Sequence, residues 1–282
     1  MTRASFLLLS LLAAGCAASS DSEATTDGAE EESEAAVATE AASSASSLRI
    51  MTYNIKNGEL VGHDLSKLAA VINESNPDVI GLQEVDEVTR RSQGKHETDE
   101  LSTLTGMPYT YFAANFPFDG GQYGLAILSK YPITARATVR LDGHTKSANG
   151  YEPRIAAVAD IAAKGQTITF VTVHASLHEE ERAGNAKAIL SALGPRASRA
   201  IIVGDFNEKP GEDIGDAFTN AGFVDSFHEK HRFLGYTQPA NFPTRRIDFI
   251  YRAKGMGKTE HAWVPSSQAS DHRPVGAVIP LR

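Results

Sequence analysis

From Leu48 onward the chain alternates between short apolar runs rich in β-branched residues and clusters of polar ones. Runs of this length and composition read as strands. They fall at 48–54 (LRIMTYN), 78–83 (DVIGLQ), 123–129 (YGLAILS), 154–162 (RIAAVADIA), 166–174 (QTITFVTVH), 200–207 (AIIVGDFN) and 246–251 (RIDFIY). Two intervening segments carry helical periodicity instead. Leu65, Leu68 and Ile72 share a face behind Asp64, which can cap the helix, and Pro77 marks its exit. Residues 178–193 place Ala183, Ala186, Ile189, Leu190 and Leu193 at helical spacing, with Gly194-Pro195 as the stop. Lys164-Gly165 between two strands reads as a hairpin turn. No internal repeat occurs at a solenoid period. Many strands with a few long helices predict one α/β domain, two packed sheets with helices outside.

The first 47 residues have a different pattern. Arg3 is followed by an apolar run from Phe6 to Ala14 and then Gly15-Cys16, the layout of a secretory signal. Such a run, at about 1.5 Å of rise per residue, cannot cross a hydrocarbon core of roughly 30 Å. The segment 1–15 with Cys16 resembles a bacterial lipoprotein signal, its box Leu12-Ala13-Ala14-Gly15-Cys16 having the leucine one place early. A plain signal peptide is the alternative. Residues 16–47 are mostly Ala, Ser, Glu and Thr, with Val37 the only large apolar side chain. They are expected to remain a disordered tether, because so little apolar surface cannot offset chain entropy. Diacylation of Cys16 would bind the membrane firmly. The expected location is extracytoplasmic and lipid-anchored. Ala17 after the cysteine points to the outer membrane if the host has one, and otherwise to the outer face of the cytoplasmic membrane.

Composition narrows the classes further. The 282 residues are 41% hydrophobic and 22% charged, which excludes collagenous, wholly disordered and polytopic membrane chains. Cys16 is the sole cysteine, so an intramolecular disulfide, a zinc finger and iron–sulfur ligation are out. The net charge of −8 lies in the tether, whose eight acidic residues are matched by no Lys or Arg. Removing these acids and Arg3 from the totals of 35 and 27 leaves 27 acidic and 26 basic residues for 48–282. A nearly neutral domain carries no electrostatic footprint for a long nucleic acid.

Several strand runs end in polar residues that a strand interior would not want, at Asn54, Glu84, His174 and Asp205-Phe206-Asn207; the seventh run holds Asp248, and Ser270-Asp271-His272 stands just before the final strand. Any one alone is an ordinary turn former. Together, at the ends of strands in one sandwich, they can converge on one edge. Carboxylates brought together repel, so such a site calls for a cation. Oxygen donors without sulfur select Mg²⁺, Mn²⁺ or Ca²⁺ over Zn²⁺. The segment 255–259 mimics the end of a P-loop but lacks its first glycine and reads as a turn. His63, His96, His144, His178, His228, His231 and His261 are assigned to surface or loops. No G-x-S-x-G or H-E-x-x-H pattern supports a serine hydrolase or a zincin.

The motifs TYNI at 52–55, LQEVD at 82–86, QYGLAILSKYPI at 122–133, EPR at 152–154, GDFN at 204–207, RIDFI at 246–250 and SDHRPV at 270–275 resemble, in order, the endonuclease/exonuclease/phosphatase superfamily. The resemblance spans residues 48–282 and implies a deoxyribonuclease I-like fold, a four-layer α/β/β/α sandwich of two mixed sheets. It implies Asn54, Glu84 and Asp271 on a metal side holding Mg²⁺ or Mn²⁺, with Glu84 the direct ligand. Asp205 would align or deprotonate the attacking water, and Asn207 would steady the phosphate. His272 would donate to a phosphoryl oxygen, with Asp248 fixing its tautomer. His174 matches a second phosphate-facing histidine, Arg154 a phosphate contact and Tyr123 a substrate contact. The family often has an apolar residue and Asp after the histidine, where this chain has Ala175-Ser176-Leu177. The expected activity is a metal-dependent phosphoesterase, a phosphodiester being favoured over a monoester. An extracellular nuclease and a catalytically silent binding module are the alternatives. Partners are a phosphate ester and the membrane, with nucleic acid not favoured and a monomer expected. Arg90, Arg91 and Lys95 form a basic loop after Glu84 that either holds an anionic group or is solvated.

Overall fold

The computed structural model describes residues 46–141, 152–233 and 235–281, all within one compact unit, Ala42–Arg282. The signal 1–15, Cys16, nearly all of the tether and His144 lie outside the described residues. Two six-stranded sheets pack face to face. The first runs β11 (His261–Trp263), β12 (Val275–Pro280), β1 (Ser47–Asn54), β2 (Val79–Glu87), β4 (Gly121–Ser129) and β3 (Tyr109–Phe118). The second runs β5 (Ile133–Arg140), β6 (Ile155–Ala163), β7 (Gln166–His174), β8 (Ala200–Asp205), β10 (Asp248–Ala253) and β9 (Phe223–Asp225). Both are mixed, since β1–β2 and β7–β8 are parallel and the other pairs antiparallel. Helices α1 (Leu65–Ser75), α2 (Glu97–Thr105), α3 (Glu179–Leu193), α4 (Asp213–Asn220) and α5 (Ser226–Lys230) flank them, completing the expected deoxyribonuclease I-like sandwich.

Each apolar run became a strand, the 166–174 run with its ends unchanged and the others with one or both ends shifted. The second run continues past Glu84 to Glu87, and the sixth stops at Asp205. Strands β3 and β5 carry weaker signals for a physical reason: both lie at sheet edges, where few side chains are buried. Asp64 caps α1 by accepting from the Ser66 N–H. In α3, Ala186, Ile189 and Leu193 are buried as expected, but Ala183 is exposed. Arg182 and Asn185 take the inner positions of that turn, because the helix start packs over polar loop ends. Lys164 (φ 50) and Gly165 (φ 79) make the hairpin turn between β6 and β7.

Strand β1 explains the layering. Leu48 and Ile50 belong to the core cluster that the two sheets share. Met51 and Tyr53 point the other way, to Leu65, Leu68 and Ile72 of α1. Thr52, on the inner face, meets a buried polar bridge. Gln83 Nε2 donates to Thr52 Oγ1 at 3.0 Å and to Thr172 Oγ1 of the opposite sheet at 2.7 Å. Such a short link needs close sheets, and Gly81 permits it. A Cβ there would lie 2.6 Å from the Thr172 side chain and 2.7 Å from that of Val203.

Gly81→Ala should therefore force the sheets apart and destabilise the fold by about 1–3 kcal/mol, the usual cost of overpacking. Denaturant unfolding of parent and variant checks it. Unchanged stability would show that the sheets are not in tight contact at this point.

Candidate active site

Strand register assembles the site. Parallel pairing of β7 with β8 sets His174 beside Asp205, and antiparallel pairing of β8 with β10 sets Asp248 on its other side. Three adjacent strands thus present three candidate side chains in one row. Gly204, just before Asp205, lets the strands approach: at φ 151, a Cβ would lie 2.0 Å from the Val173 carbonyl oxygen. From the first sheet comes Asn54 at the end of β1, while a bulge in β2 between Leu82 and Val85 turns Glu84 into the left-handed region at φ 57. The turn before β12 supplies Ser270, Asp271 and His272.

Asp205 is the meeting point, only 1% exposed. Its Oδ2 accepts from Asn54 Nδ2 at 3.1 Å, and its Oδ1 accepts from the Asn207 N–H at 2.9 Å. His174 Nε2 and His272 Nε2 stand 3.5 and 3.6 Å from Oδ2. The Asn54 amide also donates to Glu84 Oε1 at 2.9 Å. Asn207, left-handed at φ 52, fixes its side chain by donating to the Ala175 carbonyl at 3.0 Å. His272 Nδ1 lies 2.9 Å from Asp248 Oδ2, which holds the ring with Nε2 turned to Asp205.

The electrostatics separate the two histidines. Burial alone would depress His272, but the Asp248 and Asp205 carboxylates outweigh it and raise its pKa to about 10. At neutral pH it is an imidazolium. His174 is pushed well below its ordinary value, first by burial and then by the positive charges of Arg154 and His272, so it is neutral. Burial raises Asp205 above the ordinary carboxylate value, with Asp248 adding to the rise and His272 opposing it. Among the described residues, Asp205, Asp248 and His272 form a group of three with ligand atoms within 4.8 Å of one another. By distance this group could hold a cation. The protonated His272 argues instead for a self-neutralised hydrogen-bonded array.

The remaining predicted residues lie further out. Asp271 is joined to Asn54 through Ser270, whose Oγ donates to the Asn54 carbonyl at 2.7 Å and lies 3.3 Å from Asp271 Oδ1. Its other oxygen faces Lys56 Nζ at 3.4 Å, a residue the sequence reading passed over. Arg154 is buried beside Glu152, with Nη1 3.0 Å from Oε1. Tyr123 is buried against Phe116, its ring 5.6 Å from the Arg91 guanidinium. The basic loop is solvated at Arg90 and Arg91, one of the two readings expected, but its charges are paired rather than free. Arg91 pairs with buried Asp86 at 2.7 Å, Arg90 with Asp119 at 2.9 Å and Lys95 with Glu100 at 2.8 Å. Acids placed one strand or one turn away had no sequence signal. Also unforeseen is a cavity of about 600 Å³ lined by Phe233, Tyr236, Pro243, Val264 and Arg273, adjoining the His272 turn. The 255–259 segment is a turn, as expected.

Residues 51–272 match the model of the endonuclease/exonuclease/phosphatase family. The chain belongs to that family. Its solved relatives share the fold at low identity. A family protein from Bacteroides thetaiotaomicron is 18% identical with a TM-score of 0.70, covering 84% of this chain and 98% of that one. A mannosyl-6-phosphatase from the same organism is 19% identical with a TM-score of 0.67, covering 82% and 98%. TDP2 from D. rerio, solved with a single-strand DNA product, is 18% identical with a TM-score of 0.63, covering 83% and 99%. A comparison with curated proteins finds no match. In this endonuclease/exonuclease/phosphatase family hydrolase, a buried carboxylate at Asp205 faces a charged imidazole at His272.

The Asp248 charge raises both His272 and Asp205. Asp248→Asn should lower both pKa values. The alkaline limb of the pH–activity profile, where His272 loses its proton, should move down from near 10. The acid limb, where Asp205 gains one, should move down as well. His272→Ala should cost about 10²–10⁴-fold, and adding Asp248→Asn should cost little more, since both act through one imidazole. Profiles with bis-p-nitrophenyl phosphate check this. Multiplicative losses in folded double variants would show that the residues act separately.

Proposed function

We propose that this protein is an extracytoplasmic, membrane-tethered, divalent-metal-dependent phosphoesterase that favours phosphodiesters. The observation that carries the reaction type is the 3.6 Å separation of His272 Nε2 and Asp205 Oδ2, a protonated donor facing a buried base. Water held at Asp205 loses a proton to that carboxylate as it attacks phosphorus in line, the ester P–O bond opposite breaks, and the departing oxygen takes a proton from solvent to leave as the alcohol. The His272 Nε2–H donates to a phosphoryl oxygen while Asp248 keeps the ring in place. Neutral His174 adds a polar contact without competing charge, and Asn207 is locked to face the same space.

Phosphate esters are anionic and repel a nucleophile, so the site needs positive charge beyond His272. Glu84 and Asp271 fit a hard cation, since both offer carboxylate oxygens and the bulge sets Glu84 out of the regular strand pattern. Asn54, whose amide nitrogen faces Glu84 and whose oxygen accepts from the Lys56 N–H, would join them by turning its amide. When bound there, Mg²⁺ or Mn²⁺ supplies neutralisation of the charge that builds on the phosphoryl group. The paired state of Arg90, Arg91, Lys95 and Arg154 supports a singly charged diester over a dianionic monoester. The aromatic-lined cavity offers the organic part of such an ester a surface. The tether reading rests on the Cys16 box and the acidic, unpatterned segment behind it.

EDTA should abolish hydrolysis, and Mg²⁺ or Mn²⁺ should restore it. Full activity in metal-free protein under excess chelator would sink the cation site. Rates on bis-p-nitrophenyl phosphate, p-nitrophenyl phosphate, lipid head groups and supercoiled plasmid should rank the small diester first. Preferred cleavage of plasmid would make the enzyme a nuclease. Cys16→Ala should release the protein from membranes or block its maturation, and a variant that still fractionates with membranes would refute the lipid anchor.

A further inference from the structure

Lys56 follows the first motif directly and stands in an unusual turn. It is left-handed at φ 46, as are Asn57 at φ 45 and Gly58 at φ 67. Such backbone is unfavourable for residues other than glycine and is kept where the surroundings enforce it. Here the Lys56 N–H donates to Asn54 Oδ1 at 3.1 Å, tying the turn to the amide that serves Glu84 and Asp205. The result carries the ammonium to the metal side of the site. Lys56 Nζ lies 3.4 Å from Asp271 Oδ2 and 3.9 Å from Glu59 Oε2.

We propose that Lys56 is a tethered competitor for the divalent cation: its ammonium neutralises Asp271 in the metal-free protein and must leave that carboxylate when the cation takes it. The proposal rests on the metal side read above. Two positive groups cannot share one carboxylate oxygen without repulsion, so loading requires exchange. Exposure makes exchange feasible, since the side chains of Lys56 and Asp271 are 33% and 31% accessible. An ion pair so open to water is weak and screened. Glu59 stands ready as a second partner for the released ammonium. Lys56 is thus a positioning residue that sets cation affinity, keeping the empty site from accumulating unpaired negative charge.

The test is Mn²⁺ binding to the purified protein, measured by calorimetry and by the electron paramagnetic resonance signal of free Mn²⁺, with no turnover involved. Lys56→Met should bind Mn²⁺ about fivefold more tightly, the upper worth of an exposed ion pair. Lys56→Asn, which suits left-handed backbone, should do the same and guards against a folding defect in the first variant. Lys56→Arg should stay near the parent. In an Asp271→Asn background, removing Lys56 should change affinity less than twofold. An unchanged constant in both neutral variants, with binding lost in Glu84→Gln, would overturn the proposal and leave the metal side standing. No Mn²⁺ binding by any variant would overturn both.

Discussion

A carboxylate removed from water is tolerated only where donors surround it. Asp205 is such a group, and its donors come from both sheets. Asn54 reaches it from the first sheet, while the Asn207 N–H and the neighbouring histidines close around it from the second sheet and the turn before β12. The site therefore exists only at one spacing of the sandwich. Gly81 sets that spacing by its missing side chain, and Gln83 braces it by spanning to Thr172. Packing and chemistry are joined there: Gln83 is neighbour in sequence to Glu84 and partner in space to the strand that ends at His174.

Much of this was legible in the chain. Polar residues at the ends of apolar runs are out of place in a strand, so Asn54, His174 and Asp205 marked themselves, as did Asp248 at the start of one strand and His272 just before another. Their convergence followed from having many strands and one sandwich. What stayed hidden depended on tertiary partners. The charges of Arg90, Arg91 and Lys95 gave no hint that Asp119, Asp86 and Glu100 would absorb them. Ala183 looked inward on periodicity alone, yet Arg182 took the inner place because Glu208 lies 3.4 Å away to receive it. Lys56 was visible as the only cation beside the first motif, but its role depends on a turn with three consecutive left-handed residues.

Some of the backbone strain lies where the chemistry is, and the rest in turns such as those at Asn76, Val88 and Lys164. Glu84, Asn207 and Lys56 all occupy left-handed conformations, and each aims a polar group that a regular strand would turn elsewhere. Local preference yields here to placement, which is the pattern expected of functional positions. The compensation is local too: the Asn54 amide engages Glu84, Asp205 and the Lys56 backbone at once.

The row of His174, Asp205 and Asp248 on adjacent strands has a consequence for divergence. Their spacing is inherited from ladder hydrogen bonds, so connections between strands can lengthen, shorten or change composition without moving a reacting atom. A one-residue slip within β8 would turn Asp205 to the opposite face and undo the site. Selection can therefore rewrite the rim while the strand ends stay frozen, and one reaction centre can be handed to new substrates by exchanging loops.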